Sequence, residues 1–263
     1  MRVMVTGAGG FLGSHMVERL LLHGHDVTAQ ARGLSHSVHE LVRLQCFDLN
    51  DRPRLREELE ATHPEAIVHC AGLASTPDCM KDPQKCWDDN LHAALSVLEE
   101  ARLSKRVRRV VLASSNVVYG ARTPYRAAKL AMEMIAASYP GTMCLRYGNL
   151  FGKGCKRGFV AAAIKAWRDK KPFRLSDPTV SRHFVHVDDA TEATAIALEA
   201  EWMTGWTDVA PDKATFLGQI VEYLPGLEIV GSMEQAGDVR HLPQGHCCLK
   251  NNWTDVREWL CGL

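Results

Sequence analysis

Short apolar runs alternate with stretches of helical spacing along the first 150 residues. Val3–Val5 is an apolar run that ends in glycines, after which Phe11, Leu12, Val17, Leu20 and Leu21 recur at the spacing of one helix face. Asp26–Ala31 reads as a second strand and Leu41–Phe47 holds a third, followed by a charged amphipathic helix over Asp51–Thr62. Ala66–Cys70 is a fourth strand, Asn90–Leu103 a helix with Leu91, Leu95, Leu98 and Leu103 on one face, and Arg109–Ala113 a fifth strand. Tyr125–Ser138 reads as a helix and Met143–Arg146 as a sixth strand. Strands that are apolar at nearly every position are buried on both faces, which requires helices on either side of a parallel sheet. Crossovers of one hand then predict a doubly wound α/β sheet. Beyond residue 150 the rhythm loosens, and glycine, proline and tryptophan become denser. The expected organisation is a dinucleotide-binding domain over 1–150 and a small substrate-binding lobe drawn mainly from 151–263, with residues near 180–210 returning to the sheet.

Composition narrows the function classes. At 263 residues, 46% apolar and 24% charged, the chain can bury a large core. Its 31 basic residues equal its 31 acidic ones, so no global field attracts nucleic acid or an anionic membrane. The first residues form a strand rather than the basic start and apolar run of a signal peptide, and no stretch approaches the roughly 18 apolar residues of a membrane span. The nine cysteines are odd in number and irregularly spaced, and Cys46, Cys70 and Cys144 sit in apolar runs as small core residues. Cys79, Cys86, Cys247 and Cys248 could ligate metal in principle, but no Cys-x-x-Cys pair exists, and no metal is expected. A reducing cytosol is the expected compartment.

Two constellations carry chemistry. Gly7, Gly10 and Gly13 stand three apart after a strand and before a helix, a spacing that lets the backbone approach a pyrophosphate while the helix N-terminus presents its free N–H groups. The second strand ends Gln30-Ala31-Arg32 without the acid that bonds the ribose hydroxyls of NAD. Arg32 could fork onto a 2′-phosphate, which favours NADP; alternatively it is a solvated loop residue or stacks on adenine. Further on, Tyr125 and Lys129 lie four apart, on one helix face, shortly after Ser114-Ser115 at a strand end. A tyrosine of pKa about 10 is a poor base at neutral pH, but a neighbouring ammonium favours the phenolate. The phenolate can take a proton from a hydroxyl as hydride leaves the same carbon, Ser115 can steady the oxygen, and Lys129 can also hold the nicotinamide ribose.

Together these residues resemble the extended short-chain dehydrogenase/reductase family, in particular its nucleotide-sugar epimerase/dehydratase branch, and the resemblance implies a Rossmann-type domain. Thr6–Gly13, including Phe11 and Leu12, resembles TGxxGFxG, and Asp48-Leu49 resembles the pair that reads adenine. His69-Cys70-Ala71-Gly72 is similar to the H-x-A-(A/G) segment beside the cofactor, and Asn90 to the asparagine of the next helix. Ser114–Gly120 resembles SSxxVYG, with Ser114 beside the cofactor and Ser115 at the catalytic position, and Tyr125 with Lys129 matches YxxxK. Arg146–Gly152 resembles R-x-x-N-x-x-G, Ser181–Asp189 resembles RDFVYVDD, and Gly237–His241 resembles GDVRH. The resemblance implies substrate contacts at Ser115, Asn116, Asn149, Arg182 and Arg240. Independently, Arg182 and Arg240 lie in loop-like segments where guanidinium forks suit a diphosphate; the alternative is pairing with Asp188 or Asp238.

The chain departs from the family pattern in four places. The interval from Ser115 to Tyr125 is short, which removes a loop that helps cover the sugar. Asn116-Val117 replaces the Asp-Glu pair of dehydratases, which argues against water elimination. The acid after the second strand is missing, and the turn before Arg182 has shrunk to Ser176–Thr179. The expected function is an NAD(P)-dependent nucleotide-sugar epimerase that oxidises a ring carbon to the ketone and returns hydride to the other face. The alternatives are a keto-sugar reductase or dehydrogenase that releases cofactor each cycle, and a non-catalytic NAD(P)-binding sensor. Nucleotide surviving dialysis favours the first, and stoichiometric NADPH consumption the second. A homodimer is expected through Asn90–Leu103 and Tyr125–Ser138, where Met132, Met134 and Ile135 extend the apolar surface.

Overall fold

The computed structural model describes residues 1–33, 42–200, 203–231 and 252–263. In chain order the elements are β1 (Arg2–Thr6), α1 (Phe11–Leu22), β2 (Asp26–Ala31), β3 (Arg43–Cys46), α2 (Arg52–Thr62), β4 (Ala66–His69), α3 (Thr76–Lys81) and α4 (Pro83–Trp87). They continue as α5 (Ala93–Ser104), β5 (Arg109–Ser115), α6 (Pro124–Ala136), β6 (Thr142–Tyr147), β7 (Asn149–Phe151), α7 (Phe159–Arg168), β8 (Phe173–Arg174), β9 (Ser181–Arg182) and β10 (Phe184–His186). The last are α8 (Val187–Glu199), β11 (Gly205–Val209), β12 (Thr215–Phe216), α9 (Leu217–Glu222), β13 (Ile229–Val230) and α10 (Val256–Cys261).

Seven strands form one sheet in the order β11-β6-β5-β4-β1-β2-β3, the doubly wound topology expected from the strand-helix alternation. β1 pairs in parallel with both β2 and β4, so the chain's direction of travel across the sheet reverses there. A crevice opens at the carboxyl ends of strands at such a reversal. The sheet is buried because its strands carry apolar side chains on both faces. Met4, Ile67 and Leu112 join Leu55, Val97, Leu98 and Met132 in one core cluster.

Local chemistry sets the helix ends. Asp51 caps α2 by accepting from the Arg54 N–H, Pro53 fits its first turn, and His63 closes it with φ 46°. Thr123 caps α6 through the Arg126 N–H, with Pro124 at its start. Helix α5 begins at Ala93, three residues later than expected, because Asp88–His92 makes a π-helical turn. Inside that turn the Asn90 side chain donates to the Cys86 carbonyl at 2.9 Å. The third strand is described over Arg43–Cys46; Leu41 lies outside the described residues.

The chain divides into two compact units, Met1–Arg146 with Thr191–Thr207, and Tyr147–Ala190 with Asp208–Leu263. The second has its own core of Phe151, Val160, Ile164, Phe184, Ile220 and Leu260. There the Phe151 ring meets Trp259 edge-on at 5.4 Å between centroids.

Candidate active site

The glycine loop is built for close approach. After β1 the chain turns through Gly7 at φ 67°, and a Cβ there would stand 2.6 Å from the Ala71 Cα. A Cβ on Gly13 would stand 2.2 Å from the Gly7 carbonyl oxygen, so the first turn of α1 sits directly on the loop. Buried Gln30 fixes this arrangement: its Oε1 accepts from the Gly7 N–H at 3.2 Å while its Nε2 donates to the Phe47 carbonyl at 2.6 Å. The Ala8 N–H also donates to the Gln30 carbonyl at 2.9 Å. Gln30 was not singled out in the sequence; its signal was a long polar side chain near the end of a strand that leads into the site.

A crevice of about 440 Å³ runs over this loop. Its walls include Gly7, Gly10, Arg32, Asp48, Leu49, Cys70, Ala71, Gly72 and Asp89. Phe11 and Leu12 open α1, both half-buried. The Arg32 guanidinium is committed, its Nη1 donating to Asp89 Oδ1 at 2.6 Å. Asp48 Oδ1 accepts from the Asn50 N–H at 2.8 Å and Leu49 is buried.

Two of the expected catalytic residues, Tyr125 and Lys129, share the buried face of α6, and the third, Ser115, ends β5. α6 buries Tyr125, Ala128, Lys129, Met132, Glu133 and Ala136, a single helix face. Lys129 Nζ donates to the Ala113 carbonyl at 2.7 Å, which ties the helix to the end of β5. Ser115 closes β5 and its Oγ accepts from the Val117 N–H at 3.2 Å. The short interval to Tyr125 is a 3-10 turn over Asn116–Tyr119, and the Arg126 side chain holds it by donating to the Val118 carbonyl at 2.9 Å. Burial pushes the Lys129 ammonium down to about 8, opposed by the nearby Cys144, Cys70, Glu133 and Cys86. Burial, reinforced by Lys129, pushes His69 down to about 3, so this imidazole is neutral. Its Nδ1 meets Thr6 Oγ1 at 2.8 Å.

Four buried polar atoms among the described residues here have no hydrogen-bond partner: His69 Nε2, Asp89 Oδ2, Asn90 Oδ1 and Asn116 Nδ2. A Cβ on Gly72 would stand 2.7 Å from Asn90 Oδ1 and 3.6 Å from Lys129 Nζ, so both side chains converge on a glycine. An orphaned acceptor, a glycine cradle and a helix N-terminus at the end of β1 fit a nicotinamide dinucleotide.

Ser114, expected beside the cofactor, gives its hydroxyl to Glu133 Oε1 at 2.5 Å. Glu133 is also held by Arg146, with Nη2 to Oε2 at 2.6 Å, and Arg146 donates to the Tyr119 hydroxyl at 2.6 Å. The Arg146 guanidinium lies 3.4 Å from the Trp206 ring centroid. Glu133, one turn beyond Lys129 on the same face, was a second residue missed in the sequence. Cys79 and Cys86 pack with Val117, Tyr125 and Ala128 in a small buried cluster.

In the second unit, Asn149 starts β7, and its N–H donates to the His183 carbonyl at 2.7 Å. Arg182 in β9 is half-buried, with Nη1 donating to the Ser181 carbonyl at 2.9 Å. Arg240, His241 and Asp238 lie outside the described residues, as do Cys247 and Cys248.

Known proteins share this architecture. The NAD dependent epimerase/dehydratase family matches residues 3–203. A UDP-glucose 4-epimerase of Neisseria meningitidis serogroup C is 26% identical over 250 residues, covering 76% of this chain and 74% of the relative. The structure of the Thermus thermophilus UDP-glucose 4-epimerase in complex with NAD is 28% identical, with a TM-score of 0.81 over 92% of this chain and 89% of that one. MoeE5 in complex with UDP-glucose and NAD is 26% identical, with a TM-score of 0.81 over 92% of this chain and 88% of that one.

Proposed function

The chain belongs to the NAD dependent epimerase/dehydratase family, and from that premise we propose that it epimerises a ring carbon of a UDP-sugar, with C4 the first position to test. The observation that carries this reading is the shared face of Tyr125 and Lys129 beside Ser115, next to a glycine-lined dinucleotide crevice. A bound nicotinamide dinucleotide supplies the function the chain lacks, taking a hydride from a substrate carbon and giving it back. The protein's side chains do the rest. Tyr125 takes the hydroxyl proton as the carbon is oxidised and returns it after the sugar has turned. Ser115 hydrogen-bonds the same oxygen, and the Lys129 ammonium favours the phenolate. Gly7, Gly10 and Gly13 let the backbone meet the pyrophosphate, and Phe11 and Leu12 open the helix whose N-terminus faces it. Asp48 and Leu49 face the adenine end, Cys70, Ala71 and Gly72 line the crevice, and Asn90 offers its orphaned oxygen to a ribose hydroxyl. Ser114 acts through Glu133. Asn116, Asn149, Arg182 and Arg240 are assigned to the substrate, the two arginines as diphosphate partners.

Arg32 beside Ala31 supports NADP; the commitment of Arg32 to Asp89 opposes it. A homodimer through α5 and α6 is supported by the exposure of Leu103 and Met134, 47% and 76%. Met132 does not contribute, since it is a core residue. The seven described cysteines are free thiols, which suits the cytosol, and no described helix is long and apolar enough to cross a membrane. The test is conversion of UDP-glucose to UDP-galactose by the purified protein with added dinucleotide, followed by NMR. Tyr125→Phe is expected to lower the rate about 10²–10⁴-fold. Conversion by that variant at the wild-type rate would falsify the mechanism.

A further inference from the structure

The second strand ends at Ala31, where a carboxylate ordinarily holds the ribose hydroxyls of NAD, and the next residue is a cation. A carboxylate reaches this edge of the crevice from elsewhere in the chain. Asp89, in the π-turn before α5, is 8% exposed and lines the same crevice as Ala31, Arg32 and Asp48. Its Oδ1 accepts from Arg32 Nη1 at 2.6 Å, and its Oδ2 stands 3.0 Å from Lys85 Nζ. Both cations are therefore engaged by the same carboxylate.

The field around them points the same way. Among the described residues that line the groove where this edge meets solvent, Asp48, Asp82, Asp88 and Asp89 face only Arg32 and Lys85 as permanent cations. His92 bonds Asp88 at 2.8 Å, and even when protonated it leaves the carboxylates in excess. A 2′-phosphate entering here must take Arg32 from Asp89 and approach several carboxylates; a 2′-hydroxyl donates a hydrogen bond to one.

We propose that Asp89 replaces the carboxylate missing at Ala31, holds Arg32 out of reach of a 2′-phosphate, and so makes this chain select NAD over NADP. The inference rests on the reading of the crevice as a dinucleotide site. Its test is calorimetric binding of NADH and NADPH to nucleotide-stripped protein. Wild type should bind NADH at least about tenfold more tightly than NADPH. Asp89→Ser should shrink that ratio by about tenfold or more, chiefly by tightening NADPH, because Arg32 is released. Adding Ala31→Asp to that variant should restore the NADH preference, which separates selection from damage to the fold. Tighter NADPH binding by wild type, or a ratio unmoved by Asp89→Ser, overturns the proposal and leaves the epimerase reading standing. Wild type that binds neither nucleotide overturns both.

Discussion

Lys129 is the residue where function and stability conflict most. Its ammonium sits in a buried site, 3% exposed, with its ordinary value of 10.5 pushed down to about 8. Between those values the unfolded chain holds the proton and the folded chain does not, so this residue makes stability rise with pH across that window. Below about pH 8 the buried charge costs on the order of 3 kcal/mol. Thermal melts should therefore show wild type gaining on Lys129→Met as pH rises from about 7 to 10.5. An equal Tm gap at both ends contradicts the assignment. Activity should fall on the alkaline side as the ammonium is lost, and an alkaline limb centred near pH 8 in the rate profile checks this. The tyrosine, lysine and serine were legible in the sequence because they are spaced by one helix turn and one strand end. Gln30, Asp89 and Glu133 were not, because their partners Phe47, Arg32 and Arg146 are distant in sequence and meet only in the fold.

At the scale of elements, the site depends on how α6 is bound to β5 and β6. Lys129 reaches Ala113, and one turn later Glu133 reaches Ser114 and Arg146, so two successive turns clamp the strand end that carries Ser115. Glu133 and Arg146 are both more than nine-tenths buried, so removing one partner strands the other. Glu133→Ala should cost about 3–5 kcal/mol in urea unfolding, and the double variant Glu133→Leu with Arg146→Met less than that single change. Independent, additive losses would show that the pair is not a unit. The glycine loop makes a graded prediction. Gly13→Ala should abolish dinucleotide binding, because its Cβ would fall 2.2 Å from a backbone oxygen. Gly10→Ala should be tolerated better, with its nearest atom at 3.2 Å. Calorimetry on both variants decides it. The first six strands and helices α1, α2, α5 and α6 were legible from hydrophobic spacing. The late start of α5 was not, since a π-turn is set by the Asn90 side chain rather than by periodicity.

For the whole molecule, the strand order places the crevice at the reversal between β1 and β4 and brings the end of β5 and the face of α6 to the same edge of the sheet. That topology followed from strand-helix alternation alone. The later lobe was legible only as a change of rhythm, because its strands are two or three residues long and bind in separate two-stranded sheets. Light scattering should give twice the mass of one chain, reduced to one by Met134→Lys if α6 forms the interface; an unchanged monomer in wild type removes the dimer. In the proposed reaction a hydride leaves a sugar carbon and returns to its other face within one turnover. UDP-glucose deuterated at C4 tests it most directly. The expected product is UDP-galactose that keeps its C4 deuterium, with no net change in dinucleotide redox state. Loss of the label to water, or one reduced dinucleotide accumulating per sugar consumed, would contradict it.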